Sequence, residues 1–164
     1  MKKTSLIVHQ LFAILLMLSS PLSVYAVDFT WQGDNNDNWG NSANWAQTPG
    51  SGDIPDATDH DVLFNNTADR FNVDLQGNAR TIRNMTVAGF SDQTYSFFNG
   101  QLLLRNLVIS NTGGPAHQFD IDIEQRANGT WSRGVTDRKA DINGVLSGTS
   151  DLLIDTGSIK IFRF

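Results

Sequence analysis

The sequence predicts an all-β fold, a short parallel β-helix (solenoid) whose N-terminal end is closed by an aromatic-rich cap. Short apolar runs alternate with Asn, Gly, Asp and Ser along most of the chain. Residues 119–124 alternate apolar and acidic side chains, which is the period of a half-buried strand. No window has the apolar spacing of a helix. A β-sandwich also fits many short strands, but two or three strands per roughly 20 residues favour the solenoid.

The first 26 residues have the pattern of a secretory signal peptide. Lys2 and Lys3 form a basic start, residues 6–18 are largely apolar, and Ala26 is a small residue at the cleavage point. A membrane anchor is the alternative, but the apolar stretch is interrupted and falls short of the ~20 residues that span a bilayer. No second apolar run follows, so we expect no membrane span in the mature chain.

Composition limits the partners and cofactors that the chain is expected to have. The formal net charge is −5, and cleavage after Ala26 removes two lysines but no acidic residue. Because an acidic chain repels phosphate, we expect no nucleic-acid partner. Cysteine is absent, which excludes disulfides, thiol nucleophiles and Cys-based zinc sites. We expect neither a cofactor nor a resident metal.

Residues 27–61 are predicted to form the cap and a loop. Three of the four tryptophans stand between residues 31 and 45, among Asn, Asp and Gly, which favour turns over helices. Prolines and glycines at 49–55 continue the loop. Because an uncovered terminal coil is an open strand edge, we expect the tryptophans to cover the first coil near Val62 and Phe71.

Residues 62–164 are predicted to form the coils. We expect strands at 62–64, 71–75, 81–87, 95–98, 102–109, 119–123, 140–146, 152–154 and 159–162, separated by Asn- and Gly-rich corners. The pattern at 157–161 looks like the middle of a repeat. We therefore expect either a truncated or split coding sequence or a short secreted relative of a longer protein.

Several short motifs occur in an order that resembles a known family. They are Trp-Gln-Gly at 31–33, Asn-Trp at 38–39, Ala-Asn-Trp at 43–45, Pro-Gly-Ser-Gly-Asp at 49–53 and the segment 142–152. Together they resemble the autotransporter-associated β-strand repeat of large autotransporter-like passenger proteins. The resemblance implies a right-handed parallel β-helix, export through the inner membrane and display at the bacterial surface. The C-terminal outer-membrane barrel of such proteins does not fit after residue 150.

The resemblance implies a structural role without catalysis. We expect an exported, adhesin-like passenger fragment, at the cell surface, in the outer membrane or outside the cell, or in the periplasm if truncated. Its partners would be molecules of host or neighbouring cells, or polysaccharide. Its mechanism would be that of a stiff rod presenting side chains and loops.

An alternative function uses the charged residues of one predicted strand. Asp120, Asp122, Glu124 and Arg126 recur at period 2 and are expected on one strand face. Carboxylates suit Ca²⁺, and β-helix polysaccharide lyases combine such acids with a base that abstracts a proton. This pattern suggests a β-helix carbohydrate-active enzyme or sugar-binding module. The competing interpretation is a solvated strand face whose charges discourage edge pairing.

Two further motifs fail the tests for a ligand site. Residues 34–38 begin like an EF-hand loop, but the sixth position is Trp39 and the twelfth is Trp45 instead of Gly and Glu. We therefore interpret them as turns of the cap. Residues 112–115 lack the lysine that a phosphate-binding loop requires.

Histidine and tryptophan supply the remaining candidates. Residues 59–61 place His60 between two aspartates, and His117 is the only other histidine after the leader. We interpret His60 as a loop residue, because metal or triad chemistry would need distant partners. Trp131, with Arg133 nearby, either stacks on a sugar ring or fills the interior of a coil.

We expect the exported chain to begin at Val27, because signal peptidase cleaves after a small residue such as Ala26. Mass spectrometry of the chain recovered from the periplasm or medium of a bacterial host tests this. Ala26→Arg should leave the leader attached. An exported chain that retains Met1 would contradict the prediction.

Overall fold

The described residues form eleven β-strands and one 3₁₀ turn. The structure is a computed structural model that describes residues 26–88, 93–110, 115–126, 128–133, 140–148, 152–154 and 159–161. The strands are β1 (Val27–Trp31), β2 (Trp45–Thr48), β3 (His60–Phe64), β4 (Asn72–Ala88), β5 (Ser96–Ser110), β6 (His117–Gln125), β7 (Gly129–Arg133), β8 (Ala140–Ile142), β9 (Leu146–Gly148), β10 (Leu152–Ile154) and β11 (Ile159–Ile161). Ser42–Asn44 forms the turn. Within these ranges no helix is long and apolar enough to cross a membrane. The expected signal peptide, apart from Ala26, lies outside the described residues.

The strands form a parallel β-solenoid of about three turns, which confirms the predicted fold class. Each coil pairs in parallel with the next, so that paired side chains such as those of Asn84 and Asn106 lie 22 residues apart in sequence. Other inter-coil hydrogen bonds join residues 23 or 24 apart. A coil of 22 to 24 residues is therefore close to the roughly 20 residues that the strand spacing predicts.

The pairing divides the coils into three stacks of parallel strands. Stack 1 contains β1, β3, residues 84–88 of β4, residues 106–110 of β5, β7 and β10. Stack 2 contains residues 72–74, 96–98 and 117–120, β8 and β11. Stack 3 contains residues 78–82, 100–104 and 122–125, and β9.

Long strands pass from stack to stack, which the sequence pattern does not predict. The predicted strands 71–75 and 81–87 are one strand, β4, with a register shift between Asp74 and Asn78. Gln76 and Gly77 have positive φ there, which turns the chain into the next stack. The predicted strand 140–146 is instead split into β8 and β9 around Gly144, where a Cβ atom would overlap the carbonyl oxygen of Ile121.

Apolar side chains stack along the interior of the solenoid. In stack 2, Val73, Phe97, Phe119 and Ile142 are in register and fully buried. The rings of Phe97 and Phe119 stack with centroids 4.7 Å apart and planes at 18°. Parallel pairing in register thus places like residues of successive coils in contact, which aligns aromatic rings along the axis.

The tryptophans cover the first coil, as the sequence predicts. Trp31, Trp39 and Trp45 are 0%, 0% and 7% exposed. All three pack around Phe64, with ring centroids 6.1, 5.9 and 5.7 Å from its ring. Trp31 lies in β1 and Trp45 in β2, so strands as well as turns build the cap, whereas the sequence pattern predicts only turns and a loop there.

A different group forms hydrogen bonds with the N-terminal edge of each stack. In stack 1, β2 runs antiparallel to β1. In stack 2, the backbone N–H of Trp39 donates to the Asp74 carbonyl over 2.8 Å, and the Asp74 N–H donates to the Asp37 carbonyl over 2.7 Å. In stack 3, the Thr81 N–H donates to an Asp56 carboxylate oxygen over 2.8 Å. The first coil therefore has partners for its backbone along all three stacks.

Phe64→Ala should lower the free energy of unfolding by about 3–5 kcal/mol, because a large buried ring is removed from the centre of the aromatic cluster. Urea unfolding followed by tryptophan fluorescence measures the change. Val145→Ala, at a side chain that is 59% exposed, is the control and should change it by less than about 0.5 kcal/mol. Equal effects of the two substitutions would exclude Phe64 as the centre of the cap.

Tyr95 should make the fold sensitive to alkaline pH. Its hydroxyl donates to the Asn65 carbonyl over 2.8 Å, and burial raises the pKa of Tyr95 above its ordinary value of about 10. Because the folded state holds the proton more tightly, this stability is complete below about pH 10 and is lost as the pH rises further. Tyr95→Phe should flatten the dependence of the unfolding free energy on pH above 10. An unchanged slope would contradict this account.

Candidate functional site: the outer groove of stack 1

The outer surface of stack 1 carries two columns of side chains that repeat once per coil. The first column contains Asp28, Asp61, Asn84, Asn106 and Thr130. The second column contains Thr30, Leu63, Thr86, Val108 and Ser132. With Phe29 and Val62, these residues line a surface groove of about 770 Å³, which we call the outer groove.

Hydrogen bonds between coils fix the first column. The Asn84 amide donates to Asp61 Oδ1 over 2.8 Å, and the Asn106 amide donates to Asn84 Oδ1 over 2.6 Å. Asn106 Oδ1 in turn accepts the backbone N–H of Thr130 over 2.8 Å. Each asparagine between two coils is therefore held on both sides, so the floor of the groove is ordered before any partner arrives.

Arg83 holds one carboxylate of the groove in place. Its Nε donates to Asp61 Oδ1 over 2.8 Å and its Nη2 donates to the other oxygen, the two-pronged geometry of a strong ion pair. The hydrogen bond to Asp61 is the main cause of a raised pKa for Arg83. Partial burial lowers this pKa, and attraction to Asp61, Asp28 and Asp59 raises it further. Both side chains of the pair are about one-third exposed, so the pair orients Asp61 more than it stabilises the fold.

The groove can bind through hydrogen bonds and presents a negative field. Asp28, Asp59 and Asp61 all attract the guanidinium of Arg83. The second column adds the hydroxyls of threonine and serine on either side of two aliphatic side chains. Over the part of the chain that the structure describes, no three His, Cys, Asp or Glu residues are placed to hold a metal ion.

Asp120, Asp122, Glu124 and Arg126 all lie on the outer side of the chain, as the alternation predicts, but they are divided between two sides of the solenoid. The strand crosses from stack 2 to stack 3 between Asp120 and Asp122, because its halves pair with different strands. Asp120 accepts the Asn143 amide over 2.6 Å and Asp122 accepts the Val145 backbone N–H over 2.8 Å. Glu124 pairs instead with Arg126 at 2.7 Å. The two aspartates join neighbouring coils.

The segment 34–38 is organised by a buried amide. The Asn44 side chain is fully buried, and its oxygen accepts the backbone N–H groups of Asn35 and Asn36 over 3.0 and 3.2 Å. Its nitrogen donates to Asn36 Oδ1 and to the Asn38 carbonyl, each over 2.9 Å. The segment is thus folded around a protein amide, as expected of turns in a cap.

The two histidines have structural contacts. His60 Nδ1 accepts the Asp56 backbone N–H over 3.1 Å, and its ring packs 4.8 Å from that of Phe29. His117 is fully buried in stack 2, where its Nδ1 accepts the Tyr95 N–H over 3.0 Å. His60 begins β3 and is therefore part of a strand rather than of a loop.

Trp131 is fully buried inside the coils, which confirms the interior interpretation and removes it as an exposed sugar-stacking platform. It is aligned with Leu107 of the preceding coil in stack 1. The side chain of Arg133 and residues 112–114 of the Gly-rich segment lie outside what the structure describes.

Apart from Asp61 and Val62, the sequence pattern does not point to the residues of the outer groove, although an internal repeat marks two of its coils. Arg-Asn-Met-Thr-Val at 83–87 recurs as Arg-Asn-Leu-Val-Ile at 105–109, one coil later. This repeat aligns Asn84 with Asn106 and Thr86 with Val108. A search at the coil period would have aligned these two coils.

Comparison of the chain with protein-family models, with curated proteins and with solved structures finds no match in any of the three. The resemblance to the autotransporter-associated β-strand repeat therefore stays a prediction carried by the sequence motifs. Function has to be argued from the fold and from the outer groove.

Proposed function

We propose that the chain is an exported, adhesin-like rod of the autotransporter passenger type, with a structural mechanism and no catalysis. The observation that carries the proposal is the outer groove, a continuous face that is aligned coil by coil and already ordered by hydrogen bonds. A face of this kind suits a partner that contacts several coils at once, as expected for attachment to a surface.

The use of acidic residues also supports a structural mechanism. Asp120 and Asp122 each accept a hydrogen bond from the following coil, and Glu124 is paired with Arg126. A catalytic base needs an accessible position within reach of a substrate proton. Asp120 and Asp122 instead join neighbouring coils, which is what a rod requires.

The exported chain should bind whole cells in a saturable manner. The full-length sequence is expressed, and the exported chain is purified and labelled with a fluorophore. It is then incubated with bacterial and host cells, and the fluorescence bound to the cells is measured. Asp122→Ala should retain this binding, because its carboxylate serves the Val145 N–H, while it lowers the free energy of unfolding by about 1–3 kcal/mol.

Phe64→Ala, which is expected to weaken the cap, should reduce cell binding in proportion to the unfolded fraction. Ca²⁺-dependent cleavage of a polysaccharide, measured as newly released sugar ends and abolished by Asp122→Ala, would overturn the proposal. It would favour the alternative, a β-helix carbohydrate-active enzyme. A lack of saturable binding to any of the cell types tested would also overturn the proposal.

A further inference from the structure

We propose that the outer groove of stack 1 binds an uncharged, hydroxyl-rich polysaccharide that lies along the axis of the solenoid. The inference rests on the proposed function, because it names the partner of the same surface. The groove is built from residues of five neighbouring strands of stack 1, from Asp28 and Thr30 in β1 to Thr130 and Ser132 in β7.

The dimensions of the groove fit an extended chain. Neighbouring strands in a sheet lie about 4.8 Å apart, so five strands present contacts over about 19 Å. Each coil repeats one polar position of the first column and one position of the second column. A ligand that itself repeats along its length, such as a glycan, can therefore make similar contacts at every coil.

The chemistry of the groove fits sugar rings. Hydroxyls of Thr30, Thr86 and Ser132 flank the aliphatic side chains of Leu63 and Val108 in the second column. A sugar ring has hydroxyls on its rim and C–H groups on its faces, so alternating hydroxyl and aliphatic side chains complement it. Such a site needs a few placed polar groups around apolar contact surface.

Two carboxylates add acceptors for sugar hydroxyls. Asp61 is held by Arg83 and by the Asn84 amide, and its orientation is set before binding. Asp28, in the first strand of stack 1, is exposed at the N-terminal end of the groove. Asp61 already accepts three protein hydrogen bonds and has room for about one sugar hydroxyl, whereas the Asp28 carboxylate can accept from two neighbouring hydroxyls. Hydrogen bonds to a charged acceptor are the stronger ones.

Peptides and polyanions fit the same groove poorly. An extended peptide gains main-chain hydrogen bonds by pairing with an open strand edge, but β1, β3 and the strand segments beneath the groove are already paired with the neighbouring coils. Nucleic acids and acidic glycans would bring negative charge against Asp28 and Asp61. Uncharged glycans avoid both costs.

The test measures binding of the purified exported chain to immobilised dextran, xylan, glucomannan and chitin oligosaccharides, with polygalacturonate as the acidic comparator. We expect binding to at least one uncharged polysaccharide and weaker binding to polygalacturonate. Thr86→Tyr, which fills the centre of the groove, should weaken binding to the uncharged polysaccharide by about tenfold or more. Asp28→Asn should weaken it by about threefold to tenfold, because the charged acceptor is lost.

Ser147→Tyr is the matched control, because it adds the same ring to an exposed strand position in stack 3. It should leave polysaccharide binding unchanged, and urea unfolding should show that all three variants are folded. Equal losses in Thr86→Tyr and Ser147→Tyr would overturn the proposal, since the outer groove would then not be the binding surface.

Cell binding separates this inference from the proposed function. Binding to cells without binding to any uncharged polysaccharide overturns the inference alone, as does cell binding that is lost on protease treatment of the cells. Binding to polysaccharide without binding to cells supports the inference and overturns the adhesin-like role. Binding to neither overturns both.

Discussion

The N-terminal edge of the solenoid is the constraint on which the rest of the structure depends. Every later coil pairs with the coil before it, but the first coil has no predecessor and would expose the backbone groups of three stacks. An antiparallel strand, a backbone bridge and one carboxylate complete these edges. Arg80 is a buried residue that contacts the cap. It sits in register with the buried Leu102, and its guanidinium reaches Asp56 at 3.3 Å, so a charged group closes an apolar column.

Polar side chains serve two different ends in this fold. At the corners, aspartates and asparagines such as Asp122 and Asn143 are engaged by the neighbouring coil, because backbone that leaves a strand needs new partners. On the outer face of stack 1, the ladder through Asn84 and Asn106 leaves a second column of hydroxyl and aliphatic groups lining the groove. Acidic residues alone therefore do not distinguish a binding face from a corner.

The sequence predicts the local features of this fold well. Period-2 alternation identifies the buried face of β6, and the density of tryptophan between residues 31 and 45 identifies the cap. The sequence pattern does not predict β1, β2 or β7. For β1 and β2 the reason is that Asn and Asp around the tryptophans indicate turns, whereas pairing with distant strands decides the outcome. The groove was missed because its columns depend on register between coils, which alternation within one strand does not report.

Pairing between adjacent coils also has a consequence for the order of folding. From β3 to β7 in stack 1, the hydrogen-bonded partners of successive coils are 22 to 24 residues apart, whereas β1 and β3 pair across 33 residues. Each coil after the first therefore closes only a modest loop, and contacts of small sequence separation form quickly. The capped coil is made first and already holds the aromatic cluster around Phe64. The chain can therefore fold in the direction of its synthesis, each new coil assembling on the one that precedes it.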